Sequence, residues 1–366
     1  MPQKDLHSTP FDEATLTKLS LFEKYAEVWI PKFVMTPGIQ EIHIFDFFAG
    51  PGYDINRVPG SPIRILNRIK EQKENFKKTN TRIIFHLNEF TKGKFDLLKK
   101  NCEDFVNENN ELNSFLKLKY YCEDSAELFP RLLDTIKKFP SLVYLDQNGV
   151  KFISKEYLNE LEKIKTTDFL FFVSSSYFKW LGRTPEFQNV LQFTDLELEE
   201  MEWSNSHRLV VEKLQSSISS ESYLKLYPFS IKKKRNIFGL IFGASHPAAV
   251  SGFLKLCWDE NSLNGEANFD IDEDKDKGQI DLFSGKKLTK VEKFEIDLAD
   301  RIISGEIGNN KDALDYTFAT GNDARKAQKL IQRLKREGKI EYTGNSPGVN
   351  YSNVYKKKNL IKFRIL

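Results

Sequence analysis

The stretch Phe45 to Asp54, FDFFAGPGYD, ends an apolar run on Asp46 and then places Gly50, Pro51 and Gly52 where a helix should begin. A glycine turn at the carboxyl end of a strand lets the main chain approach a ligand and aims the free N–H groups of the next helix at it. The spacing D-x-F-x-G-x-G is not the dinucleotide fingerprint G-x-G-x-x-G, and no lysine follows in the P-loop pattern. Phosphate cradling is therefore disfavoured. An acid just before the turn repels a pyrophosphate and suits a cationic or hydroxyl-bearing ligand. Asp46, Phe48, Gly50, Pro51 and Gly52 are the expected floor of such a site.

Two more strand ends carry acids. Glu89 closes IIFHLNEF, where a carboxylate can hold both hydroxyls of a ribose, and Asp124 closes LKLKYYCED, where an acceptor can meet the exocyclic amine of adenine. A lone acid at a strand end is ordinarily a solvated terminus; three at successive strand ends after a glycine turn point to a nucleoside. S-adenosylmethionine has the required cation and ribose together, and it is the expected cofactor.

The next apolar run, SLVYLDQNG, ends on Asp146 and Gln147, the positions that would face the transferred group and accept from a substrate N–H or O–H. Turn chemistry alone also favours Asp, Asn and Gly there. Lys151, Ser174, Ser175, Ser176 and Tyr177 fall at or just after strand ends on the same inferred rim. His43 and His86 lie inside strands and read as satisfied core or edge residues; His246, after the last strand, is within reach of the crevice, but with no nucleophile at readable spacing a structural cap or turn role is favoured for it.

These residues need a scaffold to position them, and the pattern supplies one. Thr15 to Phe33 has the three- and four-residue apolar spacing of an amphipathic helix. From Glu41, short runs apolar on both faces (IHIFDFF, RIIFHLNEF, LKLKYYCED, SLVYLDQNG, DFLFFVSSS) alternate with helical stretches, the signature of a mostly parallel sheet covered by helices on both sides. SYLKLYPFSI and NIFGLIFGAS flank KKKRN and read as an antiparallel hairpin. The expected fold is thus α/β: a Rossmann-like, doubly wound, mostly parallel sheet ending in an antiparallel hairpin. The expected divisions are a helical lead over 1–36, the sheet domain over 37–285 and a different carboxyl-terminal domain over 286–366.

That last part is basic. From Gly321 to Leu366 the chain carries twelve Lys or Arg against three Asp or Glu, while the other 320 residues sum to −6. Three helices and two short strands around Asn345-Ser346-Pro347-Gly348 outline a winged helix. Arg325, Lys326, Lys329, Arg333, Lys335 and Arg336 lie on its third helix, and Lys356, Lys357 and Lys358 follow the expected return strand. Charge gathered on the third helix and wing suits a nucleic-acid partner, with Leu330, Ile331 and Leu334 facing inward. A solvated charged face accounts for the charge equally well.

The remaining composition narrows the class. Hydrophobic residues make up 40% of 366, Cys102, Cys122 and Cys257 are odd in number and far apart, and no apolar stretch is long enough for a membrane span. A cytoplasmic protein with free thiols and no bound metal is expected. The DIDEDKDKG run lacks the glycine and terminal Glu of a calcium loop.

The segments FDFFAGPGYD with GSPIRIL, LNEF, VYLDQNGVKFI, FFVSSSYFKW and LIFGASHPAAVSGFLKLCW, followed by the basic tail, resemble the bacterial three-Cys-motif partner family over nearly the whole chain. Its members resemble class I S-adenosylmethionine-dependent methyltransferases. The resemblance implies a partner bearing a three-cysteine motif and resembling radical S-adenosylmethionine enzymes, and a setting near mobile elements or phage defence. Family members more often carry Asp-Pro-Phe-Gly where this chain has Asp146-Gln147-Asn148-Gly149, which supports cofactor binding better than catalysis. Two readings follow: a methyltransferase-like protein acting on or with nucleic acid, or an inactive adaptor or sensor of the same fold. A nuclease would need an acid-acid-lysine cluster that the sequence does not show.

Overall fold

The computed structural model describes residues 9–146, 155–174, 193–194, 197, 199, 206–219, 221–233, 236–275 and 288–366. The chain divides into two compact units, Met1–His246 and Pro247–Leu366. This division falls ahead of the change of pattern near residue 286.

The first unit is built on seven strands: β1 (Glu41–Asp46), β2 (Arg82–Asn88), β3 (Leu116–Tyr121), β4 (Ser141–Leu145), β5 (Thr167–Ser174), β6 (Lys225–Lys233) and β7 (Asn236–Ala244). Their order is β3-β2-β1-β4-β5-β7-β6. The first five are parallel, β7 is antiparallel to β5, and β6 pairs antiparallel with β7. Parallel strands need crossover connections, and the helical stretches supply them. Among these are α2 (Ser61–Glu71), α3 (Lys73–Thr79), α4 (Lys92–Glu108), α5 (Ser125–Lys138) and α6 (Lys155–Glu162), with α7 (Ser206–Ser217) preceding β6. The helical stretch over residues 62–76 is divided at Gln72, whose N–H turns back to the carbonyl of Ile69.

The leading helix, α1 (Glu13–Val34), starts at an Asp12 cap that accepts from the Thr15 N–H at 3.0 Å. It lies on the sheet: Phe22 stacks on Tyr144 of β4 with ring centroids 4.1 Å apart, and Tyr25 meets Phe242 of β7 edge-on at 4.8 Å. The Tyr25 hydroxyl donates to Asp168 of β5 at 2.6 Å. The expected stripe is shifted slightly, because Leu16 is only half-buried while Lys18 takes a buried place. Burying one large aromatic contributes about 1.5–3 kcal/mol, so Phe22, Tyr25 and Trp29 are enough to anchor the helix.

The antiparallel course of β7 decides between the two readings of His246. Gly243 pairs with Phe169 near the start of β5 and Ala244 with Lys225 at the start of β6, so His246 follows the strand at the amino end of the parallel sheet. It is on the side away from the crevice.

The second unit contains α8 (Pro247–Glu260), α9 (Lys290–Ile303), α10 (Asn310–Ala319) and α11 (Ala324–Arg336). The last three coincide with the helices read from the sequence, and Leu330, Ile331 and Leu334 are buried as their spacing predicts. The pairing expected around Asn345 to Gly348 is not the one observed. Instead β8 (Ile340–Glu341) pairs with β9 (Arg364–Ile365), and Ser352–Lys356 forms a π-helical turn. Buried Asn310 explains the path. Its amide donates to the carbonyls of Gly348 (3.3 Å) and Asn359 (2.9 Å) and its oxygen accepts from Ile361 N–H at 2.9 Å, so the segment is folded back on α10. Among the described residues no helix is long and apolar enough to cross a membrane.

Candidate functional site

Asp46 ends β1 fully enclosed, and both of its oxygens are used within the protein. One accepts from the Phe48 N–H at 3.1 Å and the other from the Ser61 hydroxyl at 2.6 Å. Ser61 is the first residue of α2, so the strand ends on a carboxylate because that carboxylate fastens the turn to the helix it starts. Burial pushes the Asp46 carboxyl up to about 7; the Ser61 and Phe48 bonds oppose this, and the charges of Asp146 and Glu89 reinforce it.

The turn itself needs glycine. Gly50 has φ +63° and Gly52 φ +93°, a region side chains avoid. The Asn101 amide of α4 donates to the Pro51 carbonyl at 2.7 Å. Asp54 accepts from Asn56 N–H and Val58 N–H, and from Phe11 N–H just before α1, at 2.8–2.9 Å. Gly50, Pro51 and Gly52 are all buried, and Phe48 is half-buried against the core under α5. The turn is a tightly packed element, and the exposed part of the rim lies beside it.

That part comes from the neighbouring strand ends. Asn88 ties β1 to β3: its amide donates to the carbonyls of Phe47 and Glu123, each at 3.1 Å, and its oxygen accepts from Glu123 N–H at 3.2 Å. Glu89, half-exposed, accepts from Thr91 N–H at 2.8 Å. Asp124 is exposed and caps α5 through Ala126 N–H at 2.8 Å. Its position at the strand end is explained by this cap alone, whatever else its carboxylate meets.

Asp146 directly follows β4, the neighbour of β1, and Tyr144 two residues earlier is in register with Asp46. Its Oδ2 lies 2.5 Å from Nζ of Lys18, a lysine of α1 with 8% of its side chain exposed against 20% for Asp146. Nζ of Lys18 also sits 4.5 Å from the centre of the Phe172 ring on β5. Burial raises the Asp146 carboxyl above its ordinary value, and the Lys18 ammonium pulls it back. Gln147, Lys151, Ser175, Ser176 and Tyr177 lie outside the described residues; Ser174 closes β5.

The structure thus gathers Asp46, the glycine turn, Glu89 and Asp146 on one rim. It adds three residues not singled out in the sequence: Ser61, Asn88 and Lys18. For Lys18 a signal was present, a charged residue four positions before Phe22 in the apolar stripe of α1.

On α11 the basic residues divide. Arg325, Lys329, Arg333 and Arg336 are exposed on one stripe. Arg325 is bound to Asp259 at 2.6 Å and also pairs with Asp323, and Arg333 is bound to Glu295 at 2.9 Å. Lys326 lies over the Trp258 ring at 3.9 Å, and Lys335 donates to the carbonyls of Tyr342 and Gly344 at 2.9 and 3.1 Å, so both serve the unit's own packing. Lys356, Lys357 and Lys358 are exposed at and after the π-helical turn.

Compared with known proteins, the chain matches no protein-family model and no curated protein.

Proposed function

We propose that the first unit is a Rossmann-like, S-adenosylmethionine-binding domain of methyltransferase type, and that the second is a winged-helix-type module that engages nucleic acid. One observation carries the reading. In the order β3-β2-β1-β4-β5 the sheet reverses direction between β1 and β4, and open α/β sheets bind ligands outside the carboxyl ends at such a switch point. Asp46 and Asp146 close the two strands that flank it.

The side chains suit the cofactor. The rim offers carboxylates and a glycine turn to a ligand rich in hydrogen-bond donors, and Lys18, its buried cation, is already paired. Glu89 would hold the ribose hydroxyls, the edge of the turn the amino-acid end, and Asp124 the adenine amine, while Asp46 keeps the turn in shape. When bound, the cofactor would supply a sulfonium methyl group for transfer to a substrate lone pair. Asp146 then takes the proton released from the substrate N–H or O–H, a role that demands it be ionised. The exposed arginines and lysines of α11 and the π-helical turn supply phosphate contacts that position a nucleic acid without reading its sequence.

The burial of Gly50 to Gly52 favours a second reading, an inactive scaffold serving as adaptor or sensor for a three-Cys-motif partner. Calorimetry with S-adenosylmethionine separates the two from a misassigned pocket. Saturable binding that weakens at least about tenfold in Glu89→Ala supports the site. Binding untouched by that change refutes the pocket. Binding without tritiated methyl incorporation into pooled nucleic acid or protein leaves the adaptor.

A further inference from the structure

A lysine in the apolar stripe of α1 is a costly choice. Taking an ammonium and a carboxylate out of water costs several kcal/mol each, and a well-packed apolar residue of similar volume often stabilises more than such a pair. Phe22, four residues on, stacks on Tyr144 of β4 and Tyr25 meets Phe242 of β7, both without charge. Lys18 reaches past them to the end of β4, where its ammonium meets Asp146 and the face of Phe172.

We infer that Lys18 is a positioning residue for methyl transfer: held by α1 and Phe172, it binds Oδ2 of Asp146 and keeps that carboxylate ionised, leaving Oδ1 to take the substrate proton. The inference rests on the methyl-transfer reading and adds to it that the amino-terminal helix is part of the reaction site. The groups around Asp146 argue the same way. Asp46 on β1 repels a charge there, Tyr144 on β4 is a buried phenol that burial keeps neutral, and Phe172 on β5 brings no charge. Among the described residues Lys18 is the cation that opposes burial at Asp146.

The test follows the Asp146 carboxyl carbon by 13C NMR across pH in the full chain, assigned by difference against Asp146→Asn. Lys18→Gln should move its midpoint to higher pH, and Lys18→Arg should restore it. Methyl transfer should lose about tenfold at pH 6.5 in Lys18→Gln, recover at pH 9, and be rescued by Lys18→Arg, a pH split that a purely structural lysine would not produce. An unmoved midpoint overturns the inference. Should Lys18→Gln fail to fold, the 15Nζ signal of Lys18 in the wild type decides: a slowly exchanging ammonium lost in Asp146→Asn supports the pair, and its absence refutes it. If the wild type transfers no methyl group at any pH, the functional reading falls and the catalytic half of the inference with it, while the titration still decides whether Lys18 holds the charge.

Discussion

His43 Nδ1 lies 2.9 Å from His86 Nε2, joining β1 to β2 through two buried imidazoles. The chain extends at both ends, with His43 Nε2 3.0 Å from the Glu41 carboxylate and His86 Nδ1 3.0 Å from the Tyr121 hydroxyl. With both rings neutral every bond can be made in one direction, from Tyr121 through His86 and His43 to Glu41. Phe45 stacks on His86 and Phe139 on His43.

Acid should therefore weaken this relay. Burial, and then the neighbouring His43 and Lys119, push His86 down to about 2, and burial lowers His43 as well. A histidine whose folded pKa is below its unfolded value contributes stability fully present above about 6.5 and lost as pH falls towards the folded value. The loss is up to about 1.4 kcal/mol per pH unit. Denaturant unfolding at pH 7.5, 6 and 5 should show the wild type losing stability relative to His86→Gln as pH falls, because only the wild type carries the relay's acid loss. An equal fall in the variant would show that the relay is not its source.

Asp46 works in the opposite sense. With its folded pKa raised to about 7 from an ordinary 3.8, the folded state binds the proton more tightly, so this group's contribution declines as pH rises from about 4 to 7 and is level above. Ser61→Ala removes a bond that favours the charged form and should raise the Asp46 midpoint further, at a cost of about 1–2 kcal/mol in stability. Carboxyl 13C titration reads the first effect and chemical denaturation the second.

Glycine substitutions separate shape from site. Gly52→Ala and Gly38→Ala both place a side chain at positive φ, +93° and +84°, and each should cost about 1 kcal/mol or more. Only Gly52 belongs to the turn between β1 and α2, so S-adenosylmethionine binding by calorimetry should be lost in Gly52→Ala and kept in Gly38→Ala. Equal loss in both would assign the effect to global strain.

On α11, Lys329→Glu with Arg336→Glu should weaken binding to mixed-sequence duplex DNA or RNA by about tenfold or more and flatten its salt dependence, as removal of phosphate contacts requires. Lys335→Met should instead lower the melting temperature and leave affinity nearly unchanged, since its ammonium is bound to the carbonyls of Tyr342 and Gly344. Fluorescence anisotropy at two salt concentrations distinguishes the two.

Local pattern alone established much of this protein. Runs such as IHIFDFF and RIIFHLNEF, apolar on both faces and separated by helical stretches, specify buried parallel strands, and period-3.6 apolar residues place α9, α10 and α11, because both signals depend on neighbours in the chain. The glycines of the turn were legible for the same reason, their positive φ being a backbone property. Tertiary structure decided what touches what. It spent both oxygens of Asp46 on Phe48 and Ser61, turned His246 to the far end through an antiparallel β7, folded the last strand back to β8 through Asn310, and set Lys18 against Asp146. Apart from Phe48, two residues from Asp46, those partners are 15 to 128 residues apart, and no local periodicity encodes a contact across such a distance; only the packing of α1 and the crossing order of the strands brings them together.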